Sequence, residues 1–226
     1  MRLSSRLKKI AELIPDGSVV ADVGTDHAYL PVYCLEKGKI RSAIAMDVNE
    51  GPLASAAENS SKYGVSQLVD LRLSDGLERL KYGEADVIVI AGMGGLLIKR
   101  ILESGRDKLA DGTLLLLQPM IAQEELRKYL YTSAMGVEDE YLAREGGKFY
   151  NIIAARVGKS CCFEENDILI GKNLRKNSPT AYYFYLSKRI KTLKKIIAGI
   201  EKSASKKGLY AANSVLKVYQ KELYNR

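Results

Sequence analysis

The sequence has no long hydrophobic run. The longest uninterrupted apolar stretches, such as 87–93 and 114–117, are far shorter than the roughly 18 residues that a membrane span needs. Met1 is followed by Arg2 and Arg6 rather than by the apolar core of a secretory signal. These absences exclude a membrane-spanning protein, and we expect a cytosolic one.

Cysteine and histidine are also scarce. Cys34, Cys161 and Cys162 form an odd set of three, two of them adjacent, and do not resemble a disulfide framework. His27 is the single histidine and no Cys-x-x-Cys pair occurs, so there is no ligand set at zinc spacing. We therefore expect reduced thiols and no structural metal.

The composition is that of an ordinary globular protein. The 226 residues are 46% hydrophobic and 27% charged, which suits one core domain with an appendage. The net charge of +8 is unevenly placed, because residues 185–226 hold eleven Lys or Arg against two acids. A nearly neutral body with a basic end indicates a polyanionic partner, with nucleic acid favoured over a membrane surface.

Strand and helix patterns alternate along the first two thirds of the chain. Expected strands are 18–24, 42–48, 69–73, 85–91 and 113–118, and expected helices are 3–14, 29–37, 52–63, 95–104 and 124–133. This alternation predicts an α/β fold with a parallel sheet covered on both faces. Two further strands, 137–144 and 149–157, follow without an intervening helix and predict an antiparallel edge hairpin around residues 145–148.

The rest of the chain predicts a second, helical unit. Residues 186, 190, 193, 197 and 200 and residues 209, 212, 216, 219 and 223 form two apolar seams at heptad spacing, with a turn between them. We predict a body at 1–158, a connector at 159–180 and a basic helical hairpin, of coiled-coil type, at 181–226. Whether the seam is filled within the chain or by a second copy is left open.

Acidic residues end the first three predicted strands. Asp22, followed by Gly24, ends the first, Asp47 the second and Asp75 the third. The Gly-x-Gly-x-x-Gly fingerprint of dinucleotide sites is absent, whereas S-adenosylmethionine has no phosphates and needs no such cradle. Asp47 is placed to accept the ribose hydroxyls of such a cofactor and Asp75 to accept its exocyclic amine. Each acid alone has the alternative role of a cap or turn residue.

The fourth strand ends in a glycine-rich turn, Ala91-Gly92-Met93-Gly94-Gly95. Glycines concentrate where the backbone bends sharply or where a ligand lies against it. The predicted cofactor contacts are therefore Asp22, Gly24, Asp47, Val48, Asp75, Gly76, Ala91 and Gly92. The role of Met93 stays open between flanking a base and filling the core.

His27 stands between Asp26 and Tyr29 at the expected ligand-binding edge of the sheet. A lone histidine is often a structural hydrogen-bonder, but here an acid and a phenol flank it. We predict Asp26, His27 and Tyr29 as the catalytic group and leave the structural alternative for His27 open.

Lys188, Lys191, Lys195 and Lys202 share one stripe of the first hairpin helix, opposite its apolar seam. A solvated helix face normally mixes charges to form pairs four residues apart, and this one does not. We predict that these lysines bind RNA phosphates. The aromatic run 182–185 before them has two interpretations, stacking on bases or packing on the body.

Several strings resemble one enzyme family, the bacterial tRNA adenine-N1 methyltransferases that modify adenine 22. They are residues 2–15, 22–31 (DVGTDHAYLP), 75–77 (DGL), 90–95 (IAGMGG) and 117–119 (LQP). The resemblance covers essentially the whole chain. It implies a Rossmann-like S-adenosylmethionine domain followed by a small coiled-coil domain that helps to hold tRNA, with Asp26, His27 and Tyr29 near the target base.

Two positions depart from the family pattern. Met120 stands where the family usually has Asn after Gln-Pro, and Lys172 stands where it usually has Pro after Gly. The predicted function is methylation of adenine N1 in tRNA with S-adenosylmethionine as cofactor. The alternatives are a methyltransferase acting on rRNA or DNA, and a nonenzymatic RNA-binding protein on a decayed methyltransferase fold.

Overall fold

The computed structural model describes residues 1–160, 162–203 and 205–224. Cys161, Ala204, Asn225 and Arg226 lie outside the described residues. One of the three cysteines and the last arginine of the basic segment are therefore not part of the structural description. Within the described ranges, no helix combines the length and the hydropathy that a bilayer span requires.

A seven-stranded sheet forms the centre of the described chain, in the order β3-β2-β1-β4-β5-β7-β6. Its strands are β1 Val19–Val23, β2 Ser42–Asp47, β3 Val69–Leu73, β4 Val87–Met93, β5 Leu114–Pro119, β6 Met135–Glu145 and β7 Lys148–Val157. The first five are mutually parallel, and β7 pairs antiparallel with both β5 and β6. The predicted parallel sheet with an antiparallel edge is confirmed.

Helices cover both faces of this sheet. They are α1 Ser5–Leu13, α2 Tyr29–Glu36, α3 Glu50–Lys62, α4 Gly95–Ser104, α5 Gln123–Thr132, α6 Glu165–Leu169, α7 Leu174–Asn177, α8 Pro179–Lys202 and α9 Leu209–Tyr224. Neighbouring residues of β4 face opposite sides, with Ile88 and Ile90 in the core under α4 and α5 and Val87 and Val89 in the core under α1 and α2. Burial on both faces explains the continuous apolar runs of the central strands.

The edge hairpin turns at two glycines. Gly146 and Gly147 have φ values of 52° and 74°, which two-residue turns of type I′ require at both central positions. The hairpin is the predicted one, but β6 begins at Met135, two residues earlier than expected. The pairing of β6 with β7 continues to Met135 across a register shift between Val137 and Asp139, which breaks the strict alternation of side chains.

The segment predicted as a plain connector is folded against the body. It contains α6 and α7, which are too short for a clear helical period, and it closes over a buried ion pair. Arg127 Nη2 and Glu140 Oε2 are 2.8 Å apart, and both side chains are essentially inaccessible. The backbone N–H of Lys172 donates to Glu140 (3.1 Å), and Arg127 donates to the Ile168 carbonyl (3.0 Å). Buried charges need such partners, so the ion pair anchors the connector.

Helices α8 and α9 form the predicted antiparallel hairpin. Tyr182 near the start of α8 donates to Glu222 near the end of α9 (2.8 Å), and Arg189 donates to Tyr219 (3.4 Å). Tyr219 is fully buried and donates onward to the Leu169 carbonyl of the connector (2.7 Å). Leu186, Ile190 and Leu193 of α8 belong to one apolar cluster with Leu216, Tyr219 and Leu223 of α9, so this part of the seam is filled within the chain. The coiled-coil character of this pair and the domain limits stay predictions.

Candidate functional site

A cavity of about 760 Å³ opens at the carboxyl ends of the parallel strands. It lies where β1 pairs with β2 on one side and with β4 on the other, which is the switch point of the strand order. All eight predicted cofactor contacts line it: Asp22, Gly24, Asp47, Val48, Asp75, Gly76, Ala91 and Gly92. The sheet brings them together because each follows or ends a parallel strand.

Asp22 at the end of β1 is a buried acid that lines this cavity. Its side chain accepts a hydrogen bond from the Thr25 hydroxyl at 2.6 Å, and the residue is only 7% exposed. Burial removes water from the carboxylate and raises the pKa of Asp22 to about 6, although the Thr25 bond opposes the shift. The Asp47 charge raises this pKa further, and Arg6 lowers it. A cation bound beside Asp22 would favour its ionised form.

Asp47 and Asp75 occupy the next two strand ends. Asp47 is nearly buried and accepts a hydrogen bond from the backbone N–H of Asn49 (2.9 Å). Asp75 is exposed, and Gly76 beside it has a φ of 58°. Both carboxylates border the cavity and present acceptors to it.

Two glycines allow side chains to cross the floor of the cavity. A Cβ on Gly24 would lie 2.2 Å from Cε of Met93, and a Cβ on Gly92 would lie 2.8 Å from Nη1 of Arg6. Gly24 and Gly92 also have φ values of 69° and 82°, which favour glycine. Met93 packs against the core and also lines the cavity, so it fills the core, and its contact with a base stays a prediction.

Helix α1 supplies a wall that sequence reasoning missed. Arg2 and Arg6 both line the cavity, and Arg6 Nη1 donates to Oε1 of Gln118 at the end of β5 (2.8 Å). The only sequence signal was Arg2 just before the expected helix and Arg6 within it. That signal does not specify a strand end more than a hundred residues away.

The predicted catalytic group lies in the loop between β1 and α2. Asp26 and Tyr29 line the cavity, but His27 is not among its lining residues. His27 Nε2 is 3.5 Å from Oδ1 of Asp26, and its ring centroid is 5.1 Å from that of Tyr29. The Asp26 and His27 side chains are 71% and 41% exposed. Asp26 and Ala28 have φ values of 53° and 52°, a conformation that costs energy and is concentrated at functional sites.

The four lysines of α8 lie elsewhere. Lys188, Lys191, Lys195 and Lys202 are all exposed on one helix, and none of them lines the cavity. Lys188 Nζ donates to the Gly147 carbonyl of the edge hairpin (2.7 Å). The structure thus separates a basic surface from the acidic cavity.

The two positions that depart from the family pattern have different surroundings. The backbone N–H of Met120 donates to the Met93 carbonyl (2.8 Å), so Met120 lies next to the cavity wall. Lys172 lies at the buried ion pair, with Nζ donating to the Val137 carbonyl (3.1 Å). The lysine therefore helps to hold the connector rather than the cavity.

The fold and the cavity define a class. A doubly covered sheet in this strand order, with acids and glycines at the carboxyl ends of β1, β2 and β4, is the architecture of Rossmann-like methyltransferases. A family model described as "Methyltransferase domain" matches residues 3–153. The chain is a methyltransferase of this class.

Three relatives narrow the class. A Bacillus subtilis protein named tRNA (adenine(22)-N(1))-methyltransferase is 46% identical over 158 residues, which are 70% of this chain and 66% of that protein. The solved B. subtilis M1A22 tRNA methyltransferase TrmK is 35% identical, with 98% of this chain and 99% of that chain covered and a TM-score of 0.88. A Streptococcus pneumoniae chain solved with S-adenosyl-L-methionine is 32% identical, with 99% and 100% covered and a TM-score of 0.88. This chain belongs to the tRNA (adenine(22)-N1)-methyltransferase family.

The residues at the cavity fit the cofactor of this family, S-adenosylmethionine. Asp22 is a carboxylate whose pKa is raised mainly by burial, and the ammonium group of the cofactor would favour its ionised form. Gly24 and Gly92 keep the cavity floor free of side chains of their own. Within the described ranges, no group of three or more His, Cys, Asp and Glu side chains is placed to hold a metal ion.

Proposed function

We propose that this protein transfers the methyl group of S-adenosylmethionine to N1 of adenine 22 in tRNA. One observation carries the proposal: 98% of the chain aligns with 99% of the B. subtilis M1A22 tRNA methyltransferase at 35% identity. That alignment includes the basic helical hairpin as well as the methyltransferase body. Agreement over both parts favours tRNA over rRNA or DNA as the substrate.

We assign the strand-end acids to three parts of the cofactor. Asp22 would pair with its ammonium group, Asp47 would accept the ribose hydroxyls and Asp75 would accept the exocyclic amine of adenine. Ala91 and the two glycines, Gly24 and Gly92, would offer backbone to it. Val48 and Gly76, which follow Asp47 and Asp75, would lie against the adenine ring.

The chemistry needs no nucleophile from the protein. The bound cofactor supplies an electrophilic methyl group, and adenine N1 has a free lone pair that can form the new N–C bond as the S–C bond breaks. The protein's task is to hold the base in line with that bond. Methylation makes the ring cationic and acidifies its N6 amine, so Asp26 and His27 would stabilise that charge or accept a proton. Tyr29 would contact the base beside them.

The substrate base has to leave its stack. N1 lies on the Watson–Crick edge and is covered in paired RNA, so adenine 22 must be exposed before transfer. We assign Lys188, Lys191, Lys195 and Lys202 to the phosphates of the RNA that is held during this step. The separation of these exposed lysines from the cavity suits a substrate that is much larger than one base.

The test uses two unmodified tRNA transcripts that differ at one position. Transfer of labelled methyl to a transcript with adenine at position 22, and not to one with guanine there, is the expected result. Equal labelling of both transcripts, or of neither, would contradict the proposal. Asp26→Ala and His27→Ala should each lower turnover with little change in tRNA affinity. Near-normal turnover in both variants would remove Asp26 and His27 from the mechanism.

A further inference from the structure

A second cavity lies between the edge hairpin and helix α8. It measures about 240 Å³, and its wall includes the end of β5, the start of β7 and one side of α8. Pockets that enclose a whole drug-sized molecule are larger, at roughly 300–1,000 Å³. This cleft is therefore of a size for one planar group, such as a single base.

Asn151 at the wall of this cleft is an unpaired polar group. The residue is 3% exposed, and its Nδ2 has no hydrogen-bond partner among the described residues. A buried amide N–H without a partner costs about 1–3 kcal/mol, so such groups are rare, and a functional role or a bound water is among the reasons for one. An amide offers a donor and an acceptor side by side, the pattern that pairs with the edge of a base.

Aromatic rings and positive charge line the same cleft as this amide. Phe149 and Tyr185 both line the cleft, with ring centroids 6.2 Å apart and planes at 73°. Lys188 Nζ lies 6.0 Å from the Phe149 ring centroid and donates to a neutral carbonyl, so that contact does not cancel its charge. Ring faces and a cation near one hydrogen-bonding amide suit a base with its attached phosphate.

The cleft shares a wall with the cofactor cavity. Met120 lines the cleft, and its backbone N–H donates to the carbonyl of Met93, which lines the cofactor cavity. On the same strand end, Gln118 accepts a hydrogen bond from Arg6 of the cavity and donates to the Pro119 carbonyl (3.1 Å). A nucleotide in the cleft would thus lie beside the one undergoing methylation.

We propose that this cleft binds the unstacked base of a nucleotide adjacent to adenine 22 and that Asn151 reads the edge of that base. The inference rests on the proposed function and adds a specificity-determining residue to it. A free nucleotide has the same chemistry as this ligand. The tRNA is the favoured source because the cleft shares a wall with the cofactor cavity and is itself lined by Lys188 of α8.

The experiment is a double-mutant cycle. It combines a substitution of Asn151 with removal of one base from the tRNA. Asn151→Leu is expected to lower kcat/KM for the tRNA transcript about tenfold, the scale of one hydrogen-bonded base contact. Its affinity for S-adenosylhomocysteine, measured by calorimetry, should be unchanged, and its Tm should not fall because the leucine removes an unpaired polar group. An abasic nucleotide directly before or after adenine 22 should cause a similar loss in the wild type and no further loss in the variant.

Asn213→Leu is the matched control, because that amide on α9 already donates to the Leu209 carbonyl (3.0 Å) and lies outside the cleft. It should retain full kcat/KM.

The proposal is overturned if Asn151→Leu methylates normally, if its loss adds to the abasic loss, or if activity falls only in step with Tm. Asn151-dependent binding of a free nucleoside monophosphate without coupling to the abasic site would assign the cleft to a soluble ligand. Asn151→Ala replaces the leucine variant if that one does not fold, and a wild type inactive on every transcript refutes the proposed function instead.

Discussion

Arg6 on the first helix and Gln118 at the end of the fifth strand are joined by a 2.8 Å hydrogen bond between Nη1 and Oε1. The arginine passes over Gly92, where a Cβ would lie only 2.8 Å from Nη1. The Arg6–Gln118 bond therefore depends on the absence of a side chain at Gly92, which is distant from both residues in the sequence. It fixes helix α1 as one wall of the cofactor cavity.

Gly92→Ala should weaken cofactor binding and lower stability. The new methyl group would displace Arg6, and the φ of 82° would strain any L side chain by roughly 1–2 kcal/mol. We expect the affinity for S-adenosylhomocysteine to fall at least tenfold by calorimetry.

Gly17→Ala is the control for Gly92→Ala, because it separates backbone strain from crowding by the Arg6 side chain. Gly17 has a similar φ of 76°, but a Cβ there would meet nothing within 4 Å. It should lose stability through strain alone and bind the cofactor normally. Equal cofactor affinity in the two variants would show that the Arg6 contact does not shape the cavity.

Asp22→Asn should stabilise the cofactor-free protein near neutral pH and abolish cofactor binding. The folded protein raises the pKa of Asp22 from 3.8 to about 6, so between these values it binds more protons than the unfolded chain. As pH rises from about 4 to 6, Asp22 therefore lowers the free energy of unfolding progressively. Above pH 6 the loss is complete, at about 3 kcal/mol. Thermal melts at pH 5 and pH 7.5 should show a larger gain in Tm at the higher pH.

Asp16→Asn is the control for this acid, because Asp16 is exposed and pairs with Lys39 at the surface (2.8 Å). Surface pairs contribute about 0–1 kcal/mol, so that variant should change little at either pH. A cofactor ammonium would favour ionised Asp22, and the wild-type affinity should therefore rise as pH increases through about 6. An affinity independent of pH over this range would contradict the pairing of Asp22 with the ammonium.

Replacing Lys188, Lys191 and Lys195 together with Glu should weaken tRNA binding and leave cofactor affinity unchanged. Each phosphate that is no longer bound should reduce the slope of log K against log salt by about 0.7–0.9. Filter binding across a salt series measures both effects. The charge-matched control replaces Lys37, Lys62 and Lys81, three exposed lysines outside the helical hairpin. Identical salt slopes in the two triple variants would exclude α8 from the RNA interface.

Glu140→Leu should strongly destabilise the protein, because it leaves the Arg127 guanidinium buried without its partner. Losses of this kind are about 3–5 kcal/mol. The double variant Arg127→Met with Glu140→Leu should recover much of that loss, since no unpaired charge remains. Urea denaturation of the two variants measures both effects. If the single variant unfolded at the same urea concentration as the wild type, the ion pair would contribute little to stability and this account would be wrong.

Most of the fold could be predicted from local sequence patterns. Alternating strands and helices predicted the sheet, and acids or glycines at strand ends predicted the cavity, because parallel strands end at one edge. The pattern did not predict contacts that join distant segments through single side chains. Arg6 reaches Gln118, and Arg127 pairs with Glu140 beneath a connector whose helices are too short to show a period. Asn151 was also missed, since a lone polar residue in a strand has no periodic signature.

The most direct test of the central claim is to locate the methyl group itself. Purified protein is incubated with isotope-labelled S-adenosylmethionine and unmodified bulk tRNA, and the RNA is digested and mapped by mass spectrometry. The account predicts one labelled product, N1-methyladenine at position 22. Label at another position or on another base, or bound cofactor without any transfer, would contradict it.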